Sequence, residues 1–66
     1  MDMLNKLEDM RLKLGYRRQK DFAKFLGIHP GDYSRYANGV VVPSLEQAMK
    51  IAEKLNMRIE DIWQKE

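Results

Sequence analysis

The sequence predicts an all-α fold of five short helices without strands, forming a single domain over residues 1–66. Three observations carry this expectation. Apolar residues recur at intervals of three and four along successive segments, the spacing that gathers them on one face of a helix. The first four segments close on residues that accept the left-handed conformation at a helix end: Gly15, Gly27, Asn38-Gly39 and Asn56. The third and fourth open on helix-start chemistry, at Pro30 and Ser44.

Leu4, Leu7, Met10 and Leu14 form one stripe on the first helix, which ends at Gly15; the stripe reads as core packing. A Gly15-Tyr16-Arg17-Arg18 turn leads to the second helix, Gln19 to Leu26, with Phe22, Ala23 and Leu26 inside. The small Ala23 lets a crossing helix come close. Phe25 beside that face is either peripheral core or part of an exposed contact. After the Gly27 stop, the third helix runs from about Pro30 to Asn38, with Tyr33 and Ala37 inward and Gly31, Ser34, Arg35 and Asn38 outward. Val40 to Val42 form an apolar link to Pro43, and Ser44 with Gln47 reads as a capping box. The fourth helix is expected to bury Leu45, Ala48, Met49, Ala52 and Leu55, with Ile51 flanking, and to stop at Asn56. Ile59, Ile62 and Trp63 mark a short fifth helix, where Trp63 reads as a lid on the core rather than a ligand platform.

A 66-residue chain stands near the lower limit for folding on one apolar core, since such a domain buries only roughly 60% of its unfolded surface. The absence of cysteine excludes disulfides and thiolate metal sites and fits a reducing cytoplasm. No apolar run approaches the roughly 18 residues of a membrane helix, and Met1 to Lys6 has neither the basic head nor the apolar stretch of a signal peptide. There is no nucleophile with an adjacent base, no metal-ligand cluster and no glycine-rich phosphate loop, so no catalytic residue, metal or cofactor is expected. His29 reads as a helix-start residue.

The net charge of +2 hides an uneven distribution. From Arg11 to Arg35 seven basic residues (Arg11, Lys13, Arg17, Arg18, Lys20, Lys24, Arg35) face only Asp21 and Asp32, a local +5. The first ten residues carry −2 and the remainder −1. The basic stretch overlaps Gln19 to Gly39, two short helices joined by a tight turn at Gly27. That is the helix-turn-helix pattern, whose second helix can lie in a DNA major groove with the cations on phosphates.

With Gln19, Phe22-Ala23, Leu26-Gly27-Ile28, Tyr33-Ser34-Arg35, Asn38-Gly39, Pro43-Ser44-Leu45, Ile51-Ala52, Leu55, Ile59 and Ile62 in place, the chain from Leu4 to Trp63 resembles the Cro and repressor (XRE) family of helix-turn-helix transcriptional regulators. The resemblance implies a lambda-repressor-like five-helix domain that binds double-stranded operator DNA, usually as a homodimer on a palindrome, and acts in most cases as a repressor. By position, Gly31, Ser34 and Arg35 match residues that touch bases. Gln19 would hold a phosphate at the start of the second helix and Asn38 another at the end of the third, with Arg17, Arg18 and Lys20 near the backbone. The chemistry agrees, since amides and helix amino ends suit phosphates and a guanidinium suits guanine O6 and N7.

The departures are equally specific. Pro30-Gly31-Asp32 leaves few side chains at the front of the third helix to reach a base edge, so either Arg35 reads most of the sequence directly, with close backbone approach at Gly31, or DNA shape contributes. Asp32 either favours the helix dipole or accepts from a cytosine amine. Relatives commonly pair an acid near the end of the third helix with an arginine of the first. Ala37 stands at the acidic position, so Arg11 must find water, another acid or a phosphate. The usually basic link is Val40-Val41-Val42; this link, or the end of the fifth helix with Trp63, is the candidate surface for dimerisation or a protein partner. The second expectation is therefore a protein-interaction module on the same fold, such as an antitoxin or antirepressor.

Overall fold

Five helices follow one another as the apolar spacing predicts, and a short strand is added near each end. The computed structural model describes residues 3–65. In chain order these are β1 (Met3–Asn5), α1 (Leu7–Lys13), α2 (Gln19–Leu26), α3 (Pro30–Ala37), α4 (Leu45–Leu55), α5 (Ile59–Ile62) and β2 (Trp63–Lys65). The strands pair antiparallel with Leu4 opposite Gln64 and Asn5 opposite Trp63. The helical architecture stands; the expectation of no strand is corrected.

Asn5 explains why the first helix starts late. Its side-chain Oδ1 accepts from the Leu7 N–H at 3.1 Å, while Nδ2 donates to the Tyr36 carbonyl at 3.0 Å. The adjacent Lys6 N–H donates to the Ile62 carbonyl at 2.9 Å, continuing the pairing of the two ends. A helix running from Leu4 would break all three bonds, so Leu4 belongs to β1. At the other end α1 stops at Lys13 and Leu14 is 48% exposed, past the last turn that could present it to the core. Only Leu7 of the expected stripe is fully buried among the described side chains, with Met10 packed partly against the core.

Gly27 ends α2 with φ 77° and Asn56 ends α4 with φ 55°, both left-handed as expected. The core gathers Leu7, Phe22, Ala23, Leu26, Tyr33, Ile51 and Ile62 with Trp63 at 6% exposure. Trp63 is thus the lid on the core and not an exposed contact surface. Phe25 is peripheral core, stacked on Tyr16 with ring centroids 5.4 Å apart.

The buried face of α4 is rotated from the expected one. Ala48, Ile51, Ala52 and Leu55 are inside, at the i, i+3, i+4, i+7 positions of one helical stripe. Leu45 is 70% and Met49 56% exposed, because these residues, four apart, share an adjacent face that none of the described residues covers. Of the expected capping box, Ser44 Oγ accepts from the Gln47 N–H at 3.2 Å; among the described residues the return bond from the Gln47 side chain is not formed.

Candidate nucleic-acid interface

The unit α2-turn-α3 is held from inside. The Tyr33 ring meets Phe22 edge-on at 5.5 Å, and Ala23, fully buried, leaves room for the crossing. Ile28 plugs the turn at 9% exposure. His29 then caps α3: its Nδ1 accepts from the Gly31 N–H at 3.1 Å, and Pro30 occupies the first turn. A Cβ added at Gly31 would lie 3.3 Å from that ring nitrogen, so the small residue lets the histidine fold over the helix start. The Gly31 amide is consequently engaged by His29.

With Tyr33 buried, the opposite side of α3 is left to solvent: Gly31 and Ser34 are half-buried, Arg35 and Asn38 exposed. Arg35 is paired with Asp32, whose carboxylate stays in the first turn of α3 and receives the guanidinium. Asn38 Nδ2 donates to Ser34 Oγ at 3.3 Å. Arg17, Arg18 and Lys20 are exposed on the α1–α2 turn and the first turn of α2, and Gln19, the first residue of α2, is half-buried beside them. A shallow cleft of about 460 Å³ lined by Lys20, Asp21, Lys24, Ile28 and Pro30 opens between α2 and the start of α3. Lys24 therefore joins the basic face.

The residue that sequence reasoning missed is Glu8. Its Oε1 accepts from Gln19 Nε2 at 3.2 Å and from Arg11 at 3.0 Å, and its Oε2 accepts from Arg11 Nε at 3.0 Å and from the Tyr33 hydroxyl. Arg11 thus finds another acid on its own helix. Its remaining guanidinium nitrogen donates to the carbonyls of Tyr16 at 2.9 Å and Arg17 at 2.6 Å. Partial burial pulls the Glu8 carboxyl up, but the bonds from Arg11, Tyr33 and Gln19 outweigh it and hold the group below its ordinary value. Burial, then the bond to Glu8, pushes the Tyr33 hydroxyl well above the ordinary tyrosine value. The available signal was the three-residue spacing of Glu8 and Arg11, together with the missing acid at Ala37.

Among the described residues no group of three or more His, Cys, Asp or Glu side chains is placed to hold a metal, and no helix is long and apolar enough to cross a membrane. Fold and motif define a helix-turn-helix domain. The family model described as helix-turn-helix matches residues 7–62, and the chain belongs to that family. It is 32% identical over 61 residues to the uncharacterized helix-turn-helix-type transcriptional regulator YgzD of Bacillus subtilis (strain 168), covering 92% of this chain and 91% of that protein. A crystal structure of a candidate DNA-binding protein from Bacteroides fragilis matches with a TM-score of 0.72 at 26% identity, covering 94% of this chain and 98% of that one.

Proposed function

We propose that this domain is a sequence-specific DNA-binding transcriptional regulator of the cytoplasm that seats α3 in a major groove and represses by occupying an operator. The observation that carries this reading is the division of α3: Tyr33 is locked into the core while Arg35, Ser34 and Asn38 face solvent beside the basic turn and α2. In this reading Arg35 and Ser34 address base edges, and Gly31, having no side chain, lets the front of α3 approach them closely. Arg17, Arg18, Gln19, Lys20 and Asn38 address phosphates. Membership of the helix-turn-helix family and the named regulator among its relatives support it.

A single domain makes few contacts, so a homodimer on a palindrome supplies useful affinity. The domain measures 29 × 22 × 21 Å, and recognition helices in successive grooves stand about 34 Å apart, so contact between two copies depends on which face of each is turned toward the two-fold axis. The uncovered surface of Val40, Val41 and Val42 at 69%, 44% and 56% exposure, continued by Leu45 and Met49, is our candidate contact. The same surface favours the second reading, a protein-interaction module such as an antitoxin or antirepressor.

Selection of bound duplexes from a random pool, followed by titration across salt, tests the reading. A recovered palindrome, affinity falling steeply with salt, and loss of sequence preference in Arg35→Ala with the fold intact are expected. Recovery of nothing above background favours the protein-interaction reading.

A further inference from the structure

We propose that Glu8 is a positioning residue for the phosphate-facing segment Arg17 to Lys20, an inference that rests on the DNA-binding reading. One carboxylate is bonded to all three of the first helices: to Arg11 on α1, to Gln19 at the first position of α2, and to Tyr33 on α3. Two consequences follow for the segment between α1 and α2.

The first concerns Gln19. A primary amide has two N–H groups, and Glu8 takes one of them at 3.2 Å. This fixes the side-chain torsions and leaves the second N–H to be presented to a phosphate. Freed from Glu8, the side chain would have to be immobilised at the moment of binding, which weakens it.

The second concerns the turn. Arg11 is only 12% exposed and is held by two hydrogen bonds to the Glu8 oxygens, while its third nitrogen binds the Tyr16 and Arg17 carbonyls. Glu8 therefore fixes Arg11, and Arg11 fixes the backbone that carries Arg17 and Arg18 into α2. The pair is neutral as a unit, so Glu8 sets geometry without adding an uncompensated negative charge beside the phosphates.

This produces an effect opposite in sign to simple electrostatics. Removing a carboxylate raises the positive charge of the domain, which by itself tightens binding to a polyanion. Glu8→Ala is expected to weaken it about tenfold, the scale of releasing a held side chain and a turn. The slope of log affinity against log salt should become shallower by about one, since the released turn costs at least one cation–phosphate contact, that of Arg17 or Arg18, whereas the neutral Gln19 amide does not enter the slope.

The contacts concern phosphates, so a mixed-sequence duplex of about 30 base pairs at low salt serves as the probe. Asp9→Ala, at the neighbouring exposed acid, controls for charge, and circular dichroism melting gives the folded fraction of each variant. Glu8→Gln, which keeps an acceptor for Gln19, should recover part of the affinity. In a Gln19→Ala background the cost of Glu8→Ala should shrink, because part of it acts through that amide.

Binding by Glu8→Ala as tight as or tighter than the natural protein, as for Asp9→Ala, overturns the inference. So does a loss that merely follows the unfolded fraction with the salt slope unchanged, the mark of a structural role alone. If the natural protein itself shows no salt-dependent duplex binding, the DNA-binding reading fails first and this inference falls with it.

Discussion

Tyr33→Phe isolates the hydroxyl that joins α3 to α1. The ring remains as the core residue against Phe22, and only the bond to Glu8 is lost. A hydrogen bond to a charged acceptor contributes about 1.5–3 kcal/mol. The Glu8 side chain is 36% exposed and keeps Arg11 and Gln19 as donors, so the lower end, about 1.5 kcal/mol, applies. For a domain of this size that corresponds to a fall in Tm of roughly 6–12 °C, read by far-ultraviolet circular dichroism. The pH profile gives a sharper test. The Glu8 carboxyl is lowered in the folded state from 4.5, so its contribution is complete above about that pH and drains away as pH falls through the lower folded value. The Tyr33 hydroxyl is raised from 10.0, so its contribution is complete below that pH and is lost as pH rises towards the higher folded value. The Tm difference between the two proteins should therefore be a plateau between about pH 5 and pH 10 that narrows on both sides. A difference below about 2 °C at neutral pH, or one that stays constant well above pH 10, would refute the assignment of the bond.

Three further expectations test the architecture by thermal or denaturant unfolding. Ile51→Ala should cost about 2–5 kcal/mol and Met49→Ala less than about 0.5 kcal/mol, since Ile51 is fully buried and Met49 is 56% exposed; comparable losses would reject the rotated face of α4. Asn5→Ala removes both the acceptor for the Leu7 N–H and the donor to the Tyr36 carbonyl and should destabilise by about 1–3 kcal/mol, with early amide exchange in α1; an unchanged midpoint would show that these bonds contribute nothing net. Ser44→Ala should lose about 1 kcal/mol by removing the cap on the Gln47 N–H, and Ser44→Asp should retain most of it.

The helical part of this fold was legible because each signal was local. Gly27 and Asn56 are both in the left-handed region, and Pro30 and Ser44 stand at the helix starts they announced. What was not legible depends on partners distant along the chain. Leu4 fits a helical stripe, and only the pairing with Gln64, together with the reach of Asn5 across 31 residues to Tyr36, makes it a strand. Leu45 and Met49 have the same four-residue spacing as a buried pair. Which of two adjacent apolar stripes is covered is decided by the placement of α2 and α5, not by α4. The outward residues of α3 were readable by elimination once Tyr33 was assigned inward, whereas the Glu8 carboxylate joins three helices and no single window of sequence contains it.

Three candidate contact side chains are already occupied inside the molecule: Gln19 by Glu8, Arg35 by Asp32, and Asn38 by Ser34. These bonds differ in what they mean for binding. The Arg35–Asp32 pair is 55% and 45% exposed, and an exposed pair contributes only about 0.2–1 kcal/mol. A guanidinium correctly placed on guanine discriminates by about 1–3 kcal/mol, so in the proposed DNA-binding reading exchange of Asp32 for a guanine would be favourable. On the same proposal Asp32 would penalise wrong partners, because a guanidinium that finds no acceptor has a carboxylate to return to and would leave that carboxylate facing the DNA when it departs. Asp32→Ala should therefore raise affinity for mixed-sequence duplex more than for the selected operator, lowering the ratio between them. An equal gain on both duplexes would mean that Asp32 acts only through net charge, and a specific loss on the operator would mean that it holds Arg35 in the reading geometry.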